Sequence, residues 1–445
     1  MAAACILLFF SCSKDSQPSG GGGTNPPSQE EEPPATDEVS DNESTEYYQY
    51  GVAKLIVNTD GRVAVDSKED YRACTINVNG NGHFSDRTGL RGKIRGRGNS
   101  TWFWYQKKPY RIKLDESSKM LGMKKNKDWV LLADFRDVTH MMNNVAFTMA
   151  HELGLPCANR SRYVQLVLNG VSKGLYMLTE QIEEGKHRVE LDAGTGILLA
   201  LDLNDGPGES PDATDNFWSE RFGMACAVKY PKDVTASQKA SVRTAFGTLE
   251  KAIDEKNWTE IQKLLDVESM IDYILIQELV GNGEVDNNPS MRSGYIHRYS
   301  SSSKWVMGPI WDADAGFGYD GADMFNIHGR CHTYFIHNRV LVFGTNPYYH
   351  VGAMNATAGD FFCRLFGIPE FVRRLKSRWA EVRQPLLAAV LLQIDKTEAE
   401  IVSSAKYDTE IWNINFSHTD EVASLKAYLT DRFAYLNTVI PNYPE

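Results

Sequence analysis

The chain has 445 residues, of which 42% are hydrophobic and 24% are charged, a composition typical of a globular protein with a sizeable core. Its formal net charge is −11, and residues 14–50 carry −8 of that charge, from nine carboxylates against Lys14. Neither this segment nor the remainder is basic. The composition therefore excludes a nucleic-acid-binding role based on attraction to phosphates.

The first twelve residues predict a lipoprotein signal peptide with a lipobox. Residues 1–10 form an apolar run too short to span a membrane, and Phe9-Phe10-Ser11-Cys12 places a small residue directly before a cysteine. This pattern resembles a bacterial lipobox and makes Cys12 the expected lipidation site. Phe9 stands where an aliphatic residue is usual, and no Lys or Arg precedes the apolar run. A soluble chain with a wrongly assigned start is the alternative.

Residues 13–50 predict a disordered tether. The segment is rich in Gly, Pro, Ser and Glu and has almost no large apolar residue before Tyr47. Such a segment cannot bury enough surface to offset its ordering entropy. A lipid anchor followed by a tether and a domain indicates a protein of the bacterial cell envelope, at the outer membrane or cell surface, that contacts the membrane only through its lipid.

The folded part predicts an α+β protein, with a β-rich segment at residues 51–192 and a mainly helical segment at residues 193–445. Alternating apolar residues predict strands at residues 53–57 and 74–78. A helical period between Met142 and Ala150 predicts a helix that Gly154 ends. Later apolar stripes, at Phe371 to Val382 and at Leu425 to Phe433, predict helix faces buried in a core.

A glycine- and arginine-rich strand end is the first candidate site. Glycines in residues 91–102 permit close backbone approach, and Arg97 and Ser100 can donate hydrogen bonds to phosphate oxygens. These residues therefore suit an anion-binding site. A glycine-kinked surface hairpin gives the same pattern.

The next strand adds further cations. Its period of two places Tyr110, Ile112 and Leu114 on one face and Arg111 and Lys113 on the other. These cations fit either a phosphate site or a solvated face.

The lysine that pairs with phosphates is left open by the sequence. Lys108 and Lys113 are equal candidates. Glu152 is a candidate carboxylate partner for that lysine, and Asn144 is an alternative.

Two acidic segments in the second half suit phosphoryl transfer, which needs a carboxylate-bound metal ion and a base near the acceptor. Asp312 and Asp314 stand two residues apart on a segment expected to be extended, which would put both carboxylates on one face as ligands of Mg²⁺ or Mn²⁺. Asp286 is the expected catalytic base, with Glu284 as an alternative. The competing interpretation of Asp312 and Asp314 is a turn with solvated carboxylates.

Several motifs in order resemble the CotH (spore-coat) kinase-like family, from about Val52 to Phe371. They are Arg-Gly-Arg-Gly-Asn-Ser-Thr-Trp (95–102), Lys-Lys-Pro-Tyr-Arg-Ile-Lys-Leu-Asp (107–115), Trp-Val-Leu-Leu (129–132) and Asn-Gly-x-x-x-Gly-Leu-Tyr-x-Leu-x-Glu-Gln-Ile (169–182). The resemblance implies an atypical protein-kinase-like two-lobed fold, with an N-lobe of twisted β-sheet carrying one helix and a mainly helical C-lobe.

The resemblance also implies roles for the acidic residues. The segment around Asp312 and Asp314 looks like the family's Pro-Trp-Asp-x-Asp metal segment, and Asp286 falls where the family's catalytic-loop aspartate lies. One departure is that no Asn follows Asn288 before the next strand, where spore-coat members carry one. Asn287 and Asn288 are the available substitutes.

Two functions follow as expectations. The first is an exported, membrane-anchored kinase that uses ATP with Mg²⁺ or Mn²⁺ to phosphorylate a protein or glycan acceptor. The second is a non-catalytic cell-surface adhesin or glycan-associated binding protein on the same scaffold.

A histidine- and cysteine-rich stretch has a spacing compatible with zinc: His328, Cys331, His332 and His337. No helix or hairpin that would converge these side chains is visible, and aromatic neighbours favour loop packing.

Overall fold

The computed structural model describes residues 51–206, 213–282, 285, 291–318 and 358–445. The predicted signal peptide, Cys12 and the tether at residues 13–50 lie outside these ranges and stay predictions. Among the helices in the described ranges, none is long and apolar enough to cross a membrane.

Seven strands form a closed barrel in the order β1-β2-β3-β4-β5-β7-β6. Their bounds are β1 (Ala53–Thr59), β2 (Arg72–Asn79), β3 (Arg87–Gly96), β4 (Tyr110–Met120), β5 (Met123–Leu132), β6 (Ser161–Leu168) and β7 (Val171–Glu180). β1 pairs with β6 in parallel, and the other neighbouring strands are antiparallel. The first half is thus sheet-rich as expected. The twisted sheet implied for a kinase-like N-lobe is found here as a closed barrel, because the pairing of β1 with β6 joins its two edges.

The barrel interior follows from the alternation of the strands. Tyr110, Ile112 and Leu114 of β4 are buried inside it, whereas Arg111 and Lys113 are only half-buried on the outside. This confirms the predicted faces of β4.

A second, antiparallel sheet has the order β12-β11-β8-β10-β9. Its strands are β8 (Ile197–Leu201), β9 (Asn216–Trp218), β10 (Ala225–Tyr230), β11 (Gly294–Arg298) and β12 (Trp305–Met307). The register places Leu201, the last residue of β8, opposite Gly294, the first residue of β11. The residues that follow β8 therefore lie beside those that precede β11.

The described helices are α1 (Ser100–Trp104), α2 (Met142–Leu153), α3 (Ala236–Asp254), α4 (Trp258–Leu264), α5 (Val267–Val280), α6 (Ala358–Phe366), α7 (Pro369–Ile411) and α8 (His418–Asn442). α2 begins where the Asp137 carboxylate accepts the N–H groups of Thr139 and Met142, at 2.9 Å each. It ends at Gly154 in the left-handed conformation, as predicted.

The helices share one apolar core with the second sheet and with the outer face of the barrel. Phe371, Leu375 and Trp379 of α7 and Leu425 and Phe433 of α8 are buried in it, which confirms the two predicted stripes. α2 contacts both α5 and α7. This position sets α2 directly against the segment that carries Asp312 and Asp314.

Candidate active site

The segment after β12 bends at Asp312 and is not extended. Asp312 is left-handed (φ 57°, ψ 54°), and a 3-10 turn, Ala313–Ala315, follows it. The Asn143 side chain of α2 accepts the Ala313 N–H at 2.8 Å, and the Phe317 N–H donates to the Val280 carbonyl at 2.5 Å. These tertiary hydrogen bonds impose the bend. The extended geometry expected for the segment of Asp312 and Asp314 is therefore wrong.

The Asp312 carboxylate is half-buried and lies against the start of β11. The Ser293 hydroxyl donates to its Oδ2 at 3.1 Å, and the Asn282 side chain donates to the Asp312 carbonyl at 3.2 Å. Two elements thus hold Asp312, one through its side chain and one through its backbone.

Arg97, beyond the end of β3, reaches the same place. Its guanidinium lies 5.6 Å from the centre of the Trp311 ring, which fits a cation–π contact. Burial lowers the pKa of Arg97, while the nearby Asp312 and Asp314 oppose that shift. The structure therefore brings the glycine- and arginine-rich strand end and the acidic segment together.

Asp314 lies deeper. Its Oδ1 is 3.5 Å from Nη2 of Arg136, and its side chain is only 9% exposed. Asp134 and Asp137 are buried nearby, and burial raises the pKa of Asp137 to about 6 and that of Asp134 well above its ordinary value. The raised pKa of Asp134 disfavours a full negative charge on this buried group of carboxyls.

The turn that follows β8 faces the same site and was not singled out from the sequence. The Asp202 carboxylate accepts the N–H groups of Asn204 and Ser293, at 2.7 and 2.9 Å. Burial raises its pKa to about 7, although these hydrogen bonds oppose the shift. Asp205 pairs with Lys229 of β10 at 2.5 Å, and the positive charges of Lys229 and Arg97 help to lower the pKa of Asp205. A carboxylate placed directly after an apolar strand was the available signal, as it was for Asp312.

The other predicted phosphate ligands have local partners. Lys108 donates to the Trp102 carbonyl, and Arg111 binds Asp128 with its Nη2 at 2.7 Å. Burial opposes the charged form of Arg111, but Tyr71 and Asp128 leave its pKa raised. Of these cations, Arg111 lies near enough to lower the pKa of Arg97.

Ser100 and Lys113 do not contact the acidic segment in any described interaction. Ser100 begins α1, and Lys113 lies across from Lys93 and Asp128 in the barrel register. The structure therefore places Lys113 on the outer face of the barrel wall.

The candidate partners on α2 have different surroundings. Glu152 is exposed, and Asn144 donates to the Ser161 hydroxyl at 3.1 Å. Its neighbour Asn143 binds the acidic segment. Lys107, which was not a candidate from the sequence, has a fully buried carboxylate partner in Asp408 of α7.

Several predicted residues lie outside the described ranges: Asp286, Glu284, Asn287, Asn288, His328, Cys331, His332 and His337. Their roles stay predictions. Within the described ranges, no three His, Cys, Asp or Glu side chains are grouped to hold a metal ion. Asp312 and Asp314 offer hard oxygen donors, the chemistry that Mg²⁺ prefers, and Mg²⁺ commonly takes one or two protein carboxylates and completes its shell with water and phosphate oxygens.

A comparison with protein families matches residues 94–436 to the CotH kinase protein family. The chain belongs to this family. The match includes both Arg97 and the Asp312 segment and extends beyond Phe371 through most of α8. A search of curated proteins finds no match. Family membership supports a kinase-like protein.

Proposed function

We propose that this CotH-family protein is an exported, membrane-anchored atypical kinase that uses ATP with Mg²⁺ or Mn²⁺ to phosphorylate a protein or glycan acceptor. The observation that carries the proposal is that Arg97 lies close to Asp312. Arg97 lies over Trp311 and in the electrostatic field of Asp312, although more than two hundred residues separate them. A phosphate-binding cation beside a metal-binding carboxylate is the arrangement that phosphoryl transfer requires.

Each group has a distinct part in this proposal. Asp312, half-buried and hydrogen-bonded by Ser293, supplies the carboxylate that faces the metal ion. Arg97 donates to the phosphate oxygens in a fixed position above Trp311. Asp314, paired with Arg136, is the second proposed metal carboxylate. When bound, the metal ion would neutralise the charge that develops on the transferred phosphoryl group.

The proposed location rests on the sequence before the domain. The apolar run ending at Cys12 and the acidic segment at residues 13–50 suit a lipid anchor and its tether. Incorporation of a labelled fatty acid into the wild-type chain but not into Cys12→Ala would support this part of the proposal.

Phosphotransfer from labelled ATP tests the proposed reaction. With a mixture of casein-type protein and cell-envelope glycan as acceptors, the wild type is expected to incorporate label in Mg²⁺ or Mn²⁺, and Asp312→Asn to lose at least about 100-fold. Asp431→Asn, at an exposed carboxylate on α8, is the matched control and should retain activity. Equal rates for the wild type and Asp312→Asn would contradict the proposed role of Asp312. No incorporation or ATP turnover in either metal would favour the non-catalytic surface-binding protein.

A further inference from the structure

The turn after β8 is fixed to the residues that precede β11. Asp202 accepts the Ser293 N–H through Oδ2 and holds its own turn through Oδ1, which accepts the Asn204 N–H. The Leu203 N–H donates to the Met291 carbonyl at 3.2 Å. The β8–β11 register brings these strand ends side by side. The turn therefore holds residues 291–293 by two hydrogen bonds, one at Met291 and one at Ser293.

Ser293 has a backbone conformation that residues other than glycine seldom adopt. Its φ is +56°, in the left-handed region. In this conformation its N–H points to Asp202 and its hydroxyl donates to Oδ2 of Asp312 at 3.1 Å. Ser293 thus joins the Asp202 turn to the proposed metal carboxylate through two direct hydrogen bonds.

From this arrangement we infer that Ser293 and Asp202 are positioning residues that orient the Asp312 carboxylate for a divalent metal ion. This inference rests on the proposed function. A carboxylate has about four lone-pair directions, so a hydrogen bond at Oδ2 is compatible with coordination of a cation. Groups that hold a metal ligand in this way typically change metal affinity by about 10- to 100-fold when they are removed.

Removing the Ser293 hydroxyl separates a role in orienting Asp312 from a purely structural role in the turn. Asp202 binds the Ser293 backbone N–H, which every residue except proline provides. The bond to Asp312 needs the side chain. Glycine adopts positive φ readily, so Ser293→Gly should keep the turn and fold well while it removes the hydroxyl together with its Cβ.

The affinity of the full chain for Mn²⁺, measured by electron paramagnetic resonance with and without ATP, tests the inference. Ser293→Gly is expected to raise the dissociation constant of Mn²⁺ by about 10-fold or more, with a melting temperature in the absence of metal no lower than that of the wild type. Ser301→Gly, in the exposed turn between β11 and β12, is the matched control and should bind Mn²⁺ as the wild type does.

A double-mutant cycle on Mn²⁺ affinity tests the role of Asp202. Asp202→Ala should weaken Mn²⁺ binding in the same direction, and the double variant with Ser293→Gly should weaken it by less than the product of the two single effects, because both act on Asp312 through one path. Should Asp202→Ala fail to fold, Ser293→Gly alone decides the inference.

The outcomes separate this inference from the proposed function. Wild-type affinity for Mn²⁺ in Ser293→Gly overturns the inference even if the protein is an active kinase. Mn²⁺ binding that is weakened in Ser293→Gly, in a protein without phosphotransfer, supports the inference and contradicts the reaction. A wild type that binds no Mn²⁺, with or without ATP, overturns both.

Discussion

At the scale of single residues, the candidate site depends on two non-glycine residues in left-handed backbone conformations, Ser293 and Asp312. Such conformations are unfavourable by roughly 1–3 kcal/mol each and persist when surrounding contacts fix them. Asn143 fixes the bend at Asp312 and Asp202 fixes Ser293. The site is therefore held by tertiary contacts rather than by local sequence preference.

The buried His297 of β11 predicts that the stability of the protein depends on pH. Burial lowers its pKa to about 4, although its Nδ1 donates to the Gly308 carbonyl at 3.2 Å, a bond that favours the charged form. Between about pH 6.5 and pH 4 the unfolded chain binds a proton that the folded chain excludes. Stability should therefore fall as pH drops through this window, by about 3 kcal/mol in total from this group.

Urea unfolding between pH 7 and pH 4.5 measures this effect. His297→Gln is expected to flatten the fall in the free energy of unfolding. The exposed residue His187 provides the matched control, since His187→Gln should keep the wild-type pH dependence. An unchanged slope in His297→Gln would show that another group sets it.

At the scale of elements, α7 is tied to the barrel by a buried ion pair. Lys107, just before β4, lies 2.9 Å from Oδ1 of Asp408, and both side chains have no exposed surface. The Leu175 N–H of β7 donates to the same oxygen at 2.8 Å. Gly174 leaves room for this carboxylate, because a Cβ there would come within 2.0 Å of it. The C-terminal end of α7 is thereby fixed to β7 and to the residues that lead into β4.

Removing one partner of this ion pair should strongly destabilise the folded state. Asp408→Ala leaves the Lys107 ammonium buried and uncompensated, which typically destabilises a protein by about 3–5 kcal/mol. The double variant Lys107→Met/Asp408→Leu should be less destabilised than the sum of its single variants, as measured by urea unfolding. Glu260→Ala, which breaks an exposed pair with Lys263 on α4, should cost less than about 1 kcal/mol. Strict additivity in the double variant would contradict the pairing.

Element prediction from the sequence succeeds where the signal is local. The strands predicted at residues 53–57 and 74–78 lie within β1 and β2, and the helix predicted from Met142 ends at Gly154. Closure of the N-terminal sheet into a barrel was not predicted, because the pairing of β1 with β6 joins strands about a hundred residues apart. Alternation within a strand identifies its buried face but carries no information about which strand pairs with which.

The same limit applies to the site. Residue chemistry and motif resemblance both pointed to Arg97 and Asp312, and the structure places Arg97 over Trp311, the neighbour of Asp312. The residues that hold them, such as Asn143, Asp202 and Ser293, act through contacts up to 170 residues apart in sequence. They have no motif of their own, so sequence reasoning missed them. The extended geometry expected for Asp312 and Asp314 was wrong for the same reason.

At the scale of the whole molecule, two apolar cores support the candidate site. One fills the barrel, and the other joins the helices and the second sheet to the barrel's outer face. Arg97 follows a barrel strand, whereas Asp312 follows a strand of the second sheet. A ligand that binds both residues would bridge the two parts and should stabilise the folded state as a unit.

The measurement that tests the account most directly is the thermal stability of the purified protein with ATP and Mg²⁺ or Mn²⁺, beside Asp312→Ala. At about 100 times its dissociation constant, a ligand that binds only the folded state stabilises it by about 2.7 kcal/mol. A nucleotide–metal site at Asp312 predicts a metal-dependent rise in melting temperature for the wild type that Asp312→Ala loses. No rise in either metal, or an equal rise in the variant, would contradict a nucleotide–metal site at Asp312.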